Sequence, residues 1–178
     1  TTVSPKLKPA WTAELGGELS ALVVVEDILL VARKDTHRVY ALDSANGKTR
    51  WSFTAGGPVD SPPTIHEGMV LFGSVDGHAY CLRLSDGKLI WRFRAGPEDR
   101  RIIIDNHLES AWPVHGNILV QNEAAYFCAG RSVYLDGGIY LYALDPETGA
   151  IKHENLLSHR DAETGQQPRE RVKGFDMD

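Results

Sequence analysis

Few of the common chemical signatures occur in this 178-residue chain. It has two cysteines, Cys81 and Cys128, too few for a disulfide framework. Each sits in an apolar, strand-like run, where a buried free thiol is expected rather than half of a disulfide. Apolar runs stay short: ALVVVEDILLVA is broken by Glu26 and Asp27, and none reaches the roughly 18 residues of a membrane helix. The stretch TTVSPKLKPAW contains no signal-peptide core, so any export signal is expected to lie outside it or to have been removed. Basic charge is not in excess. Nineteen Lys and Arg against 24 Asp and Glu give a net charge of -5, which offers no reason to expect nucleic acid or an anionic membrane surface as partner. Helical periodicity is missing between Leu22 and His153. There is no Gly-x-Ser-x-Gly elbow, P-loop or His-Glu-x-x-His, so the usual hydrolase, nucleotide-binding and zinc-protease signatures are absent.

What the chain does contain is a repeat. PAWTAEL, TRWSFTA and LIWRFRA place Trp11, Trp51 and Trp91 forty residues apart, and Tyr40 and Tyr80 share that spacing. A further copy, IYLYALDPETGAIKH, puts Tyr142 sixty-two residues after Tyr80 and His153 at the tryptophan position. The middle unit divides into four short strands, SPPTIH, MVLFGS, HAYCLRL and LIWRFRA, separated by Glu67-Gly68, Asp76-Gly77 and Ser85-Asp86-Gly87. Asp-Gly and related pairs favour tight hairpins because glycine accepts positive φ, and the Val, Ile, Phe, Tyr and Trp between them suit pleated strands. A unit of about forty residues with four antiparallel strands is one blade of a β-propeller. The predicted fold class is therefore all-β: about three blades over residues 1–155, begun by an extra outer strand at Trp11. A polar tail or truncated long loop is expected over 156–178.

YALDSANGKTRW, YCLRLSDGKLIW and YALDPETGAIKH resemble the tryptophan-docking repeat of the quinoprotein-type, or PQQ-like, propellers, over about residues 9–153. The resemblance implies that Trp11, Trp51, Trp91 and, in the last copy, His153 brace one blade against the next. It implies that Gly47, Gly87 and Gly149 form the turns into the outer strands. Family propellers close with six to eight blades, so the expected partners are the remaining blades of a longer chain or other copies of this one. Dehydrogenases of the family bind PQQ with calcium on the propeller axis and often carry adjacent cysteines. Here the two cysteines are 47 residues apart, and no calcium-ligand set or catalytic aspartate is assignable. Other members resemble non-catalytic scaffolds, which implies a bacterial protein of the periplasm or extracellular space, with a cytoplasmic location left open.

The forty-residue spacing fails once. Matching Gly73 to Gly130 puts 17 extra residues in GPEDRRIIIDNHLESAWPVHGN, before the second strand of the last unit, and five more in GRSVYLDGG. In a propeller both connections open on one face, and loops carried there by a rigid scaffold are where function is expected. The candidate ligand-facing set is Arg100, Arg101, Trp112 and Arg131, since guanidinium groups hold carboxylates and phosphates bidentately. The alternative is Arg–carboxylate rim pairing with no ligand. His107, Glu109 and His115 are a candidate divalent-metal set, against a polar structural loop. Asp43, Asp86 and Asp145 read as turn formers. Three functions stay open: a non-catalytic scaffold presenting this rim to a protein or small ligand, part of a PQQ-dependent oxidoreductase, or a sugar- or peptide-binding propeller.

Overall fold

A computed structural model describes residues 8–104, 106–160 and 164–166. The expected tail, 156–178, lies outside the described residues except for 156–160 and 164–166. Among the described residues fourteen strands account for nearly all regular structure. The first blade is β1 (Val23–Val25), β2 (Ile28–Arg33), β3 (Arg38–Asp43) and β4 (Thr49–Thr54). The second is β5 (Thr64–His66), β6 (Met69–Gly73), β7 (His78–Arg83) and β8 (Leu89–Arg94). A separate hairpin follows, β9 (Arg101–Ile104) and β10 (His107–Ser110). The third blade is β11 (Leu119–Gln121), β12 (Ala124–Ala129), β13 (Ile139–Leu144) and β14 (Ile151–Leu157). Each blade is an antiparallel meander paired in chain order. The only helical turn among the described residues is a 3-10 turn at Lys34–Thr36.

Alternation decides which side of each blade is buried, because successive strand side chains point to opposite faces. Ile28, Leu30, Ala32, Val39 and Ala41 turn toward the second blade and meet Val70, Phe72, Tyr80 and Leu82. Met69, Leu71, Ala79 and Cys81 turn the other way and meet Ala125, Phe127, Tyr142 and Leu144. Lying between two neighbours, the middle blade buries every residue of β6. An aromatic trio recurs at both interfaces. Phe72 stacks on Tyr80 with Phe53 edge-on, and Phe127 lies against Tyr142 with Phe93 edge-on.

The tryptophans dock in one way. Trp11, Trp51 and Trp91 donate their indole N–H to the carbonyls of Ser44, Leu84 and Pro146, at 2.9, 2.7 and 2.9 Å. Three residues after each carbonyl stands Gly47, Gly87 or Gly149, at φ +72°, +69° and +71°. A Cβ on these glycines would lie 2.5, 2.5 and 2.8 Å from the indole above. Positive φ and a ring on the bare Cα both require glycine. Each indole thus caps the turn between third and fourth strands of the following blade. The register shifts opposite Trp51 and Trp91, at Ala41/Leu42 and Cys81/Leu82, return at Ala143/Leu144 opposite His153. His153 therefore holds the tryptophan position, but it is exposed, with no following turn beneath it among the described residues.

Three expectations need correction. Trp11–Leu15 forms no strand, because no ladder partner lies beside it among the described residues. Among the described residues the only pairing from that region is a single bridge, Leu19 to Arg33. Cys81 is buried and free, but Cys128 is exposed, because it lies on the face of the third blade that points away from the second. Finally, the hairpin registers His66↔Met69 and Gln121↔Ala124 equate Met69 with Ala124, 55 positions on. Fifteen extra residues thus precede the second strand of the third blade and seven follow it.

Candidate functional site

Both insertions lie on one rim. The longer runs from Gly96 to Asn117 and crosses the loop between β6 and β7: Ser110 N–H donates to Val75 O at 3.0 Å and Val114 N–H to Ser74 O at 3.1 Å. The hairpin tip reaches back over the first blade, where His107 closes a cleft of about 290 Å³ with Glu18, Lys34, Asp35, His37 and Pro58. The shorter insertion, between β12 and β13, packs against the other side of the hairpin.

Of the four ligand candidates, the structure brings Arg100, Trp112 and Arg131 together; Trp112 and Arg131 turn inward, while the Arg100 side chain stays 44% exposed. Trp112 is 3% exposed and belongs to the core between the second and third blades. Its indole N–H donates to Asp136 O at 2.8 Å, and its ring covers Gly96. The Arg100 guanidinium lies 4.9 Å from that ring's centroid and is ion-paired with Asp136. Arg131 is ion-paired with Glu109, both side chains largely buried, and donates to Ser110 O. Arg101 stands apart on β9, 3.5 Å from Asp99 and exposed.

The metal candidates are not assembled. Glu109 is taken by Arg131, and His115 Nδ1 lies 2.6 Å from Asp60 Oδ2, where that contact holds the Asp60 carboxyl below its ordinary value. His107 is at the hairpin tip. Among the described residues no group of three or more His, Cys, Asp or Glu side chains converges as a metal site.

The turn aspartates act through backbone. Asp43 Oδ1 accepts from Ala45 N–H, Asp86 Oδ1 from Lys88 N–H, and Asp145 Oδ1 from Glu147 and Thr148 N–H. Asp76, in sequence half of an Asp-Gly turn pair, is the most buried carboxylate of the rim. It accepts from the Tyr80 hydroxyl, from Gly56 N–H at 3.0 Å and from His78 N–H at 3.0 Å. Burial pushes its carboxyl up, but the hydrogen bonds from His78 and Tyr80 outweigh that and leave it below the ordinary value. Burial and the adjacent Asp76 charge push the Tyr80 hydroxyl well up. In the sequence this carboxylate looked like any Asp-Gly turn.

The outward side of the rim is apolar. In β9–β10, Ile103 and Leu108 are cross-strand partners on one face, 76% and 59% exposed. Tyr134 and Leu135 of the neighbouring loop are also more than half exposed.

A model of the PQQ-like repeat family described as "Outer membrane protein assembly factor BamB" matches residues 5–169. The chain belongs to that family. No curated protein matches it in sequence. Among solved structures, BamB from Moraxella catarrhalis is similar over 83% of this chain, with 16% identity and a TM-score of 0.60. A quinohemoprotein alcohol dehydrogenase from Pseudomonas putida HK5 is similar over 83%, with 20% identity and a TM-score of 0.67. The chain spans 39% of the length of the first and 22% of the second. The computationally designed Ika4 protein is similar over 84% of this chain and 80% of its own, at 14% identity and a TM-score of 0.59. These likenesses establish the all-β propeller fold.

The described residues do not fit the PQQ and calcium of quinoprotein family members. No carboxylate cluster converges, Asp76 is saturated by protein donors, and the two cysteines lie on different blades. Burial also pushes the Cys81 thiol up to about 12. No helix among the described residues is long and apolar enough to cross a membrane.

Proposed function

We propose that this chain is a non-catalytic binding segment of a bacterial PQQ-like propeller protein, working outside the cytoplasm and presenting its elaborated rim to a protein partner. The observation that carries the reading is the inserted β9–β10 hairpin. Arg100 and Glu109 at its base are consumed in ion pairs with Asp136 and Arg131 of the neighbouring loop, while Ile103 and Leu108 face solvent. A site built to hold a small anion would leave its guanidinium groups open; a protein-docking surface exposes apolar side chains flanked by charge, here Arg101. We further propose that the outward face of the third blade, with Tyr126, Cys128, Leu141 and His153, is covered by another blade, from a longer chain or a second copy. These positions are the register equivalents of the second-blade residues that the third blade buries.

A photo-crosslinking residue at Leu108 tests the rim, with Glu67, at a turn on the opposite face, as control. The expected result is a discrete protein adduct from Leu108 and none from Glu67 in envelope extracts of the native cell. Equal labelling at both positions would count against the rim. In parallel, the protein is titrated with PQQ and calcium and followed by absorbance. Saturation at one equivalent would replace the scaffold reading with that of a quinoprotein oxidoreductase.

A further inference from the structure

The hydrogen bonds of the rim hairpin fix where its backbone is unpaired. In antiparallel pairs, directly opposed residues alternate between exchanging both backbone hydrogen bonds and exchanging none. Ala111 N–H donates to Arg100 O at 2.9 Å, so in the register Ser110↔Arg101, Glu109↔Ile102, Leu108↔Ile103 and His107↔Ile104 the bonded pairs are 102/109 and 104/107. The N–H and C=O groups of Arg101 and Ile103 therefore point away from β10. The matching groups on the β10 side are partly engaged, since Ser110 N–H donates to Val75 O and Ser110 O accepts from Arg131. On the β9 side no strand among the described residues pairs with the edge, and no hydrogen bond among them takes its outward groups.

Exposed strand edges are normally blunted by charge or irregularity, because they template pairing with another chain. The outer strands β4 and β8 follow that rule, with Arg50, Ser52, Arg92 and Arg94 exposed along them. The β9 edge carries Ile102, Ile103 and Ile104 with one charge, Arg101.

We infer that the β9 edge is a strand-addition site for an extended segment of a partner protein, a step that rests on the rim being the protein-binding face. The outward backbone groups of Arg101 and Ile103 supply the main-chain hydrogen bonds, and the side chains between them supply selectivity. Ile103 and Arg101 share a face two residues apart. A strand laid beside them places an apolar side chain against Ile103 and, two positions along, a carboxylate against Arg101. The ligand class is thus an extended peptide reading apolar-x-acidic. Arg101 is available for that role: it is exposed, and its internal contact with Asp99 is 3.5 Å against the close ion pairs of Arg100 and Arg131.

The test uses a ten-residue peptide of alternating threonine and valine with aspartate two positions after the central valine, and a control with lysine in place of the aspartate. Amide hydrogen exchange in the ¹⁵N-labelled protein is the readout. The aspartate peptide should slow exchange at Arg101 and Ile103 about tenfold at a concentration tenfold above its dissociation constant, with little change at Ile102 and Ile104, already bonded to β10. The lysine peptide should give less. Ile103→Pro removes one outward N–H without touching the β9–β10 ladder and should abolish the protection; Arg101→Glu should reverse the peptide preference. Unchanged exchange at millimolar peptide, or equal protection by both peptides, would overturn the proposal. So would protection that grows with protein concentration alone, which would mean that the edge pairs with a second copy. If Leu108 crosslinks persist at full yield in Ile103→Pro, the edge assignment fails and the protein-binding rim survives.

Discussion

Gly87→Ala tests the inter-blade dock, and a second glycine supplies the control. At Gly87, φ is +69° and the new methyl would lie 2.5 Å from the Trp51 ring. At Gly68, φ is +74°, nearly the same backbone, but a Cβ there meets nothing within 4 Å. An L-residue in this left-handed region costs about 1–2 kcal/mol, so Gly68→Ala isolates that term. Gly87→Ala adds the displacement of an indole that is 8% exposed and bonded to Leu84 O. Removing a buried Trp outright costs about 3–5 kcal/mol, and lifting it off one contact forfeits part of that. The expected totals are about 1.5 kcal/mol for Gly68→Ala and about 3 kcal/mol for Gly87→Ala, by urea unfolding followed by circular dichroism. For a domain of this size the melting temperature should fall about 3–6 °C and 6–12 °C respectively. In a Trp51→Ala background Gly87→Ala should cost only the backbone term, giving a coupling of about 1.5 kcal/mol in the double-mutant cycle. Equal losses at the two glycines, or zero coupling, would refute the claim that the ring rather than the turn geometry makes Gly87 necessary.

Asp76→Asn should destabilise by about 2 kcal/mol at neutral pH, since a buried charged acceptor of three hydrogen bonds is replaced. Because the folded-state carboxyl lies below its unfolded value, its contribution is full above about pH 4 and lost as the pH falls below it; the variant's acid-unfolding limb should be shallower than that of the parent. His153→Trp should leave the unfolding free energy of the isolated chain, from urea titration, within about 0.5 kcal/mol of the parent, because His153 is exposed. A clear drop would count against its docking position. Ellman's reagent should titrate one thiol, Cys128, in the isolated folded chain as a monomer and two after unfolding, since Cys81 is buried with its thiol pushed up to about 12. Immediate titration of both would mean that the interface between the second and third blades opens readily.

The blades were readable because their recurring residues answer to local requirements. A turn at positive φ beneath an indole admits only glycine, so Gly47, Gly87 and Gly149 and the tryptophans recur with little freedom to drift. The aromatic trios leave no such trace in the sequence, for the opposite reason. Phe53, Phe72 and Tyr80 have counterparts in Phe93, Phe127 and Tyr142 at offsets of 40, 55 and 62, so no single spacing reveals them. The division of the insertions into fifteen and seven residues, against seventeen and five by glycine matching, shows the same effect from the other side. Gly73 and Gly130 match by letter but not by cause. Gly73 lacks a side chain because Val114 packs on its Cα, whereas Gly130 turns a loop at φ +118°. The ladder instead equates Gly73 with Cys128, because Ala79 and Leu141 are the corresponding partners across it. Position in a ladder, not residue identity, defines equivalence once an insertion intervenes. The rim's chemistry was hidden for a related reason. That Arg100 and Arg131 are held in ion pairs depends on Asp136 and Glu109, 36 and 22 residues away, which only the folded connection brings into reach. Arg101 and Ile103 needed still less sequence signal. What marks them is the parity of a hydrogen bond between Arg100 and Ala111, a property of the register alone.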